Sequence, residues 1–458
     1  MTVPCWNIRG YCMTYLNPAL ILIVMAGINL KIRMYSPLTT NINKAIKGDS
    51  STLKQIDPSG LKKKIDNNED IFILDVRTPQ EYESWRLSYD RHRTPKLIPV
   101  DNLLAQGSRL IKELPRDKEI ITICAHGIRS MAAANFLNQL GYNVKSLSGG
   151  MAGWNKVYDV AQVPVPSQAS FRIWQIRRVS KGCMGYMISS IQDKKAVVID
   201  PSREIYDSFL KVAEDNGLII VKVIDTHQHA DHVSGVAKLV KSIKLNINPE
   251  IVAYFSSFEE YSGNENMGLY NIKYVGNGDL IEVGKNVKLR VIHTPGHTKG
   301  SMSFFIEPST SNRDRDEPDG NINPYYYYLF TGDTLFIDGI GRPDLRDEAT
   351  EFAGILYETY HQKIDKFPLN TLILPAHFNA ASIALKHGIP IYETLESLKK
   401  KIRLLSMNKE EFVSLITETV PPKPVNYKTI ISINKKMLPY DEVQIPDLEA
   451  GPNSCSIS

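Results

Sequence analysis

Three histidines and one aspartate lie within six consecutive residues of this chain: His227, His229, Asp231 and His232. These side chains are poor core residues, and four of them crowded together would repel one another or lack partners unless a cation bound them. The run follows the apolar segment 218–224, which is typical of a buried strand. Because ligands collect at the carboxyl ends of strands in open α/β sheets, the sequence predicts a metal centre there.

Three more candidate ligands follow apolar segments further along the chain: His297, Asp333 and His377. Each comes at a turn after a predicted strand. A rigid sheet can present such turn residues to one cleft, although any one of them alone would be unremarkable. We therefore expect these residues to join the same metal centre.

Cys124 opens a second candidate site, the segment CAHGIRS, which lies between an apolar strand and a predicted helix at 130–140. In this arrangement backbone N–H groups and the helix N-terminus face the sulfur and stabilise a thiolate or persulfide. Gly127 permits a tight loop, and Arg129 adds positive charge. A lone cysteine is more often simply buried, but here the sequence turns polar and glycine-containing at the thiol. The segment predicts a reactive cysteine.

The composition is that of a soluble globular protein. The chain has 458 residues, 43% of them hydrophobic and 23% charged, which suggests two or three domains. A net charge of +4 gives no reason to propose a nucleic-acid partner. The five cysteines are scattered without a CxxC pair, which favours a reducing, cytoplasmic setting.

The pattern along the chain predicts how the domains are arranged. Residues 52–155 alternate strand and helix, as a parallel sheet requires. Residues 156–170 are rich in proline and serine and are expected to be a linker, 171–390 contain many short strands, and 391–458 form a C-terminal helical extension and tail. Residues 1–51 form an N-terminal extension. Its apolar run Leu16–Leu30 is shorter than the roughly 20 residues that a membrane-spanning helix needs.

Two family resemblances sharpen these expectations. The motifs THQHADH, TPGHTKGS, TGDTLF and PAHF resemble the metallo-β-lactamase superfamily over residues 171–390, which implies an αββα sandwich with the site along one edge. The motifs LDVRTPQEY, CAHGIRS and LSGGMAGW resemble rhodanese sulfurtransferases over residues 52–155. This second resemblance implies a parallel-sheet α/β domain in which Cys124 carries sulfur and Asp75 and Arg77 anchor its loop. The predicted fold class is therefore α/β with two domains.

The metallo-β-lactamase resemblance leaves two chemistries open, because members with all seven metal-site residues include dinuclear hydrolases of the glyoxalase II type and mononuclear iron persulfide dioxygenases. His227, His297 and Asp333 could form the 2-His-1-carboxylate face that suits Fe(II). The remaining residues could complete a second metal site or orient the ligands by hydrogen bonds: His229, Asp231, His232 and His377.

The segment GIGRPDL favours the dioxygenase, because it resembles a segment of that group in which Arg342 would bind an anionic group of the thiol carrier. The first hypothesis is thus a persulfide dioxygenase–rhodanese fusion of sulfane-sulfur metabolism with one Fe(II) per chain. It would oxidise a low-molecular-weight thiol persulfide with O2 to sulfite. Cys124, with Arg129 as a second catalytic residue, would supply the persulfide or pass its sulfur to sulfite to form thiosulfate.

Two alternatives remain at this stage. One is a thioester hydrolase of the glyoxalase II type with two zinc ions and an appended rhodanese domain. The other is a non-enzymatic sulfur carrier or regulatory module with a vestigial metal site, which the presence of every ligand disfavours. The identity of the thiol, the direction of sulfur flow at Cys124 and assembly into a homo-oligomer stay open.

Overall fold

A computed structural model of the chain describes residues 54–89, 94–105, 107–261, 271–306, 327–345, 348–380, 383–424, 426–436, 445–451, 453 and 455–457. The predicted N-terminal extension with its apolar run lies outside these residues. Within them, every helix is too short or too polar to span a bilayer.

Five parallel strands form the sheet of the N-terminal domain: β1 (Gln55–Ile56), β2 (Ile71–Asp75), β3 (Lys96–Leu97), β4 (Glu119–Ile123) and β5 (Val144–Leu147). Their order is β1-β5-β4-β2-β3. Consecutive residues of β4 point to opposite faces, and both Ile120 and Ile121 are fully buried in separate apolar clusters. A sheet that is apolar on both faces must be covered on both, so the predicted parallel α/β domain is confirmed.

Helices connect these strands and cover the sheet. They are Pro58–Asp66, Pro79–Ser84, Val100–Ala105, Gly107–Leu110, Ile128–Gln139 and Gly150–Trp154, with a 3-10 turn at Ile111–Glu113. Helix Pro79–Ser84 begins with a capping box, in which Thr78 and Glu81 satisfy each other's free backbone N–H groups.

The second domain begins with a seven-stranded sheet: β6 (Tyr158–Val163), β7 (Phe171–Arg178), β8 (Met184–Ser190), β9 (Lys195–Ile199), β10 (Ile219–Ile224), β11 (Val252–Ser256) and β12 (Asn271–Val275). The strands lie in the order β12-β11-β10-β9-β8-β7-β6. Pairs from β9 to β12 are parallel, whereas pairs from β6 to β9 are antiparallel.

A six-stranded sheet follows, made of β13 (Leu280–Gly284), β14 (Val287–His293), β15 (Met302–Ile306), β16 (Tyr327–Gly332), β18 (Thr371–Pro375) and β19 (Glu393–Thr394). Neighbouring strands pair antiparallel except β16 and β18. Two short strands, β17 (Ile340–Gly341) and β20 (Ser456–Ile457), form a separate antiparallel pair.

The two large sheets pack face to face. Tyr186 of the first sheet meets Phe330 of the second edge to face, with ring centroids 4.9 Å apart. On the outer side of the first sheet, Phe209 and Leu239 bring helices Tyr206–Asp215 and Val236–Asn246 against Val223. Helices Ala349–Gln362, Leu395–Lys401 and Lys409–Thr419 pack with the second sheet. This is the predicted αββα sandwich.

The remaining elements are short 3-10 turns and the C-terminal helices: Arg203–Ile205, Ile364–Lys366, Arg403–Ser406, Tyr427–Lys436 and Ile445–Leu448.

The segment 156–170 differs from the linker that the sequence predicted. Its first half is β6, which pairs with β7 along six residues and forms an edge of the seven-stranded sheet. Val163 is only 2% exposed and packs in the core, so alternating burial along β6 stabilises it as a strand. The prolines that suggested a linker follow the strand rather than interrupt it.

Candidate metal centre and sulfur-transfer site

The candidate metal ligands lie where strands of both sheets end. His227 follows β10 of the seven-stranded sheet, whereas His297, Asp333 and His377 follow β14, β16 and β18 of the six-stranded sheet. All four are buried, with exposures of 2% or less. The strand ends therefore converge on one edge of the sandwich.

His227, His297 and Asp333 form a compact group whose ligand atoms all lie within 4.8 Å of one another. The Nε2 atoms of His227 and His297 lie 3.6 and 3.5 Å from Asp333 Oδ2. These three atoms are buried and have no hydrogen-bond partner among the residues that the structure describes. Buried polar atoms need a partner, and a divalent cation is a partner that two imidazoles and a carboxylate would share.

In each of these three candidate ligands, the other polar atom of the side chain makes a hydrogen bond to a neighbouring residue. His227 Nδ1 lies 2.8 Å from Thr226 Oγ1, and His297 Nδ1 donates to the carbonyl oxygen of Arg342 at 2.8 Å. Asp333 Oδ1 lies 2.6 Å from His377 Nδ1. Such outer contacts select the ring tautomer that leaves Nε2 free for a metal.

The electrostatics suit the same role. Burial lowers the pKa of His297 to about 4, so its ring is neutral near pH 7. Burial alone would raise the pKa of Asp333, but the charges of His377 and His227 hold it well below its usual range. A neutral imidazole and an ionised carboxylate are the forms that bind metals.

A second cluster lies beside the first. Cys183, Asp231, His232 and His377 place their ligand atoms within 4.8 Å of one another, and all four residues are buried. Asp231 Oδ1 lies 2.9 Å from His232 Nδ1, and its Oδ2 lies 2.9 Å from His377 Nε2. The structure thus brings together three of the four residues that the sequence assigned to a second metal or to orienting roles.

Sequence reasoning missed Cys183. The residue precedes β8 and forms an isolated antiparallel bridge with His377, nearly two hundred residues away. Burial alone would raise the pKa of the Cys183 thiol, but the charge of His232 helps to lower it to about 7. Because no motif surrounds the residue, only the pairing of distant segments reveals it.

His229 points to a different group. Its Nε2 atom lies 3.3 Å from Asp200 Oδ1 and 3.7 Å from Asp225 Oδ1. Asp200 also accepts hydrogen bonds from the backbone N–H of Thr226 at 2.7 Å and from its hydroxyl at 2.9 Å. These two carboxylates, absent from the sequence predictions, therefore position the start of the histidine run.

Arg342 lies close to the centre, because its carbonyl oxygen contacts His297. Its side chain is fully buried, and its guanidinium donates to both carboxylate oxygens of Asp344, at 2.7 and 2.9 Å, and to the carbonyl of Pro421 at 2.6 Å. The side chain thus ties this segment to Pro421, and the substrate-binding role of Arg342 stays a prediction. The backbone of Arg342 instead orients His297.

Gly341 lets that backbone approach the ligands. A Cβ atom there would overlap the carbonyl oxygen of Asp333 and lie 3.1 Å from His297 Cβ. We expect Gly341→Ala to destabilise the fold by about 3 kcal/mol or more and to weaken metal binding, because backbone rather than a flexible side chain must move. Thermal unfolding and metal analysis measure both effects. The control is Gly354→Ala, where the nearest atom is Lys409 Cε at 3.6 Å; an equal loss of stability in the control would contradict the prediction.

The Cys124 loop has the predicted geometry. Cys124 follows β4, is 1% exposed, and its sulfur accepts the Gly127 N–H at 3.1 Å and lies 3.4 Å from Ser130 Oγ. Gly127 has φ +93°, a backbone conformation that favours glycine. Helix Ile128–Gln139 begins directly after it. The loop therefore places the Gly127 N–H as a donor against the sulfur, next to the N-terminus of a helix.

Four charged residues around this loop form two ion pairs, Arg77 with Asp75 and Arg129 with Glu81. Arg77 donates to both carboxylate oxygens of buried Asp75 and to the carbonyl oxygen of Trp85, which matches an anchoring role. Arg129, predicted as catalytic, binds both carboxylate oxygens of Glu81, with its Nη1 at 2.8 Å. The Arg129 hydrogen bond is the main reason that the pKa of Glu81 falls to about 2. The catalytic role of Arg129 stays a prediction.

One cavity of about 380 Å³ lies between the two candidate sites. On one side it is lined by Ala125 and His126, the residues after Cys124, and on the other by Asp231 of the metal centre. Lys181 contributes a cation to the wall, and Trp85 and Leu448 contribute apolar surface. The cavity is therefore lined by the two residues that follow Cys124 and by one residue of the second cluster, whereas Cys124, His227, His297 and Asp333 are not among its lining residues.

Comparison with known proteins defines the class. The rhodanese-like domain family matches residues 57–157, and the metallo-beta-lactamase superfamily matches residues 182–309. The chain therefore joins a rhodanese-like domain to a metallo-β-lactamase domain. This fold implies metal binding, and the clusters described above are the candidate ligands.

Individual relatives fall into two groups. Human persulfide dioxygenase ETHE1, mitochondrial, is 27% identical over 55% of this chain and 82% of its own length. A hydroxyacylglutathione hydrolase of Nitrosococcus oceani is 30% identical over 42% of this chain and 60% of its own length. Among solved structures, a metallo-beta-lactamase from Staphylococcus aureus is 27% identical, with a TM-score of 0.50 over 60% of this chain and 75% of its own.

Proposed function

We propose that the protein is an Fe(II)-dependent persulfide dioxygenase coupled to sulfur transfer at Cys124. In the proposed reaction a thiol persulfide, O2 and water give the free thiol and sulfite, so the terminal sulfur is oxidised and O2 is reduced. The observation that carries the proposal is the buried group of His227, His297 and Asp333, whose facing atoms have no hydrogen-bond partner within the described part of the chain. Two imidazoles and one carboxylate suit Fe(II), which supplies reactivity toward O2 when bound. Persulfide dioxygenases among the relatives support this assignment.

The shared cavity supports coupling between the domains. Cys124 would carry sulfane sulfur as a persulfide, held by the Gly127 N–H and the start of the following helix. Transfer of its outer sulfur to sulfite would form thiosulfate and regenerate the Cys124 thiolate, with no net oxidation. Residues next to Cys124 and Asp231 of the second cluster line the same cavity, so sulfite or persulfide would have a short path between the two reactions.

Lys181 is the residue that we propose for binding an anionic group of the thiol carrier. The residue is 5% exposed and lines the cavity. The sequence favoured Arg342 for this role. The Arg342 guanidinium donates hydrogen bonds to Asp344 and to the carbonyl oxygen of Pro421. A flexible ammonium in the wall of a cavity can bind a carboxylate without a fixed geometry.

A dinuclear thioester hydrolase is the second candidate. The hydroxyacylglutathione hydrolases among the relatives and the adjoining cluster of Asp231, His232 and His377 favour it. Two metals would hold a bridging hydroxide for hydrolysis. The two candidates therefore differ in the number and type of metal and in the need for O2.

Metal analysis of anaerobically purified protein separates the two functions. We expect about one iron per chain, O2 consumption when a low-molecular-weight thiol persulfide is added, and one sulfite for each O2 consumed. The same preparation is tested with a thioester of the same thiol. Two zinc ions per chain with thioester cleavage and no O2 consumption would refute the dioxygenase and support the hydrolase.

We also keep the cytoplasm as the proposed location. Cys124, Cys183 and Cys455 are free thiols in the structure, which agrees with a reducing compartment.

A further inference from the structure

The last described residues of the chain pack against the residues that surround the candidate metal centre. Glu449 is fully buried, forms an ion pair with Arg178, and accepts the backbone N–H of Val233 at 2.7 Å, one residue after the histidine run. Further on, the Asn453 N–H donates to the carbonyl oxygen of Lys181 at 3.1 Å. A buried ion pair and these backbone bonds hold residues 445–457, the C-terminal tail, against the residues that surround the site.

Cys455 is the tail residue nearest the candidate ligands. Its carbonyl oxygen accepts the Arg342 N–H at 2.9 Å, and the next two residues pair antiparallel with Gly341 and Ile340. The same Arg342 accepts the hydrogen bond of His297 with its carbonyl oxygen. The backbone of Arg342 thus contacts both a candidate ligand and the C-terminal tail. Cys455 itself is 2% exposed.

The thiol belongs to a third cluster of candidate ligands. The ligand atoms of Asp333, His377 and Cys455 all lie within 4.8 Å of one another, and all three residues are buried. Independently of the cysteine, buried Asp333 Oδ2 has no hydrogen-bond partner among the described residues. A thiolate, an imidazole and a carboxylate on one side of a buried site form a common donor set for zinc and neighbouring transition metals.

We propose that Cys455 is a metal ligand that the C-terminal tail contributes to this centre, with Asp333 and His377 as its partner ligands. The consequence is that the chain brings its own sulfur donor to a site where a persulfide sulfur would have to bind. The tail and a thiol substrate would then compete for the metal. This inference rests on the metal site of the proposed function but not on its reaction.

Cobalt titration tests the inference without any substrate. Co(II) alone is added anaerobically to the metal-free full-length protein, and the near-ultraviolet thiolate-to-cobalt charge-transfer absorption is recorded. We expect the wild type to show this absorption and Cys455→Ser to lose most of it and to bind Co(II) about tenfold more weakly. Cys124→Ser, which removes a buried thiol outside the metal centre, is the matched control and should keep the absorption.

Two outcomes would overturn the inference: cobalt bound by the wild type without the absorption, or full absorption in Cys455→Ser. A chain that ends at Ala450 removes the thiol without placing a new side chain in the core, and it should reproduce Cys455→Ser. Thermal unfolding of each variant shows that it is folded. Because no persulfide or O2 is present, this result is independent of whether the protein is a dioxygenase.

Discussion

Asp333→Asn is expected to abolish metal binding and O2-dependent persulfide oxidation. Asp333 supplies the only carboxylate of the group with His227 and His297. The substitution keeps the size of the side chain, and an amide oxygen can still accept the His377 Nδ1–H that now lies 2.6 Å from Asp333 Oδ1. What it removes is the negative charge that two imidazole ligands need beside them to hold a divalent cation.

The expected size of the effect follows from that charge. An ionic ligand contributes several kcal/mol, so we expect metal content to fall close to zero and the rate of O2 consumption to fall by about a thousandfold or more. Iron analysis and an oxygen electrode measure the two quantities on the same sample. Asp215→Asn serves as the control, because that carboxylate is exposed at the end of helix Tyr206–Asp215 and pairs only with Lys211 among the contacts found. A variant at Asp333 that kept one iron and full activity would contradict the assignment.

Cys124→Ser is expected to abolish sulfur transfer and to leave the metal in place. Serine fits the loop, since its hydroxyl can accept the Gly127 N–H that now reaches the sulfur at 3.1 Å. A hydroxyl cannot form the persulfide through which sulfane sulfur is carried. With thiosulfate as the donor and cyanide as the acceptor, the rate should fall by about a thousandfold or more.

A matched cysteine gives the control for this second experiment. Cys455→Ser also replaces a buried thiol by a hydroxyl, but that thiol lies at the metal centre. It should keep sulfur transfer, whereas Cys124→Ser should keep its metal content. Sulfur transfer that persisted in Cys124→Ser would show that another thiol carries the sulfur.

Local patterns predicted much of this architecture. Alternating strands and helices over residues 52–155 predicted the parallel sheet, because apolar residues on both faces of a strand require helices on both sides. The apolar strand before His227 predicted a ligand at its end, because ligands collect at the carboxyl ends of strands in open α/β sheets. The Cys124 loop was predictable because a glycine and a helix start follow the thiol directly in the sequence.

Other features depend on contacts that no local pattern encodes. Cys183 meets His377 across a single bridge, and Asp200 meets Thr226 from a neighbouring strand. The linker prediction at 156–170 was wrong in its first half, because prolines mark where a strand ends but do not show that β7 is beside it. Arg342 was assigned to substrate from its motif, whereas its partner Pro421 comes from a segment eighty residues later.

The sequence by itself indicated most of the residues that can do chemistry, though not Cys183 or Cys455, and at which strand end or loop each of them lies. A side chain's position within a strand, turn or helix start follows from backbone geometry over a few residues, which the sequence encodes directly. Only the tertiary structure decided that His227, after a strand of one sheet, meets His297 and Asp333, after strands of the other, and that Cys455 lies beside Asp333 and His377. Those distances depend on how the two sheets and the tail pack. Burial of apolar surface determines which faces meet, but the pattern of apolar residues in the sequence does not show which polar residues are then brought together.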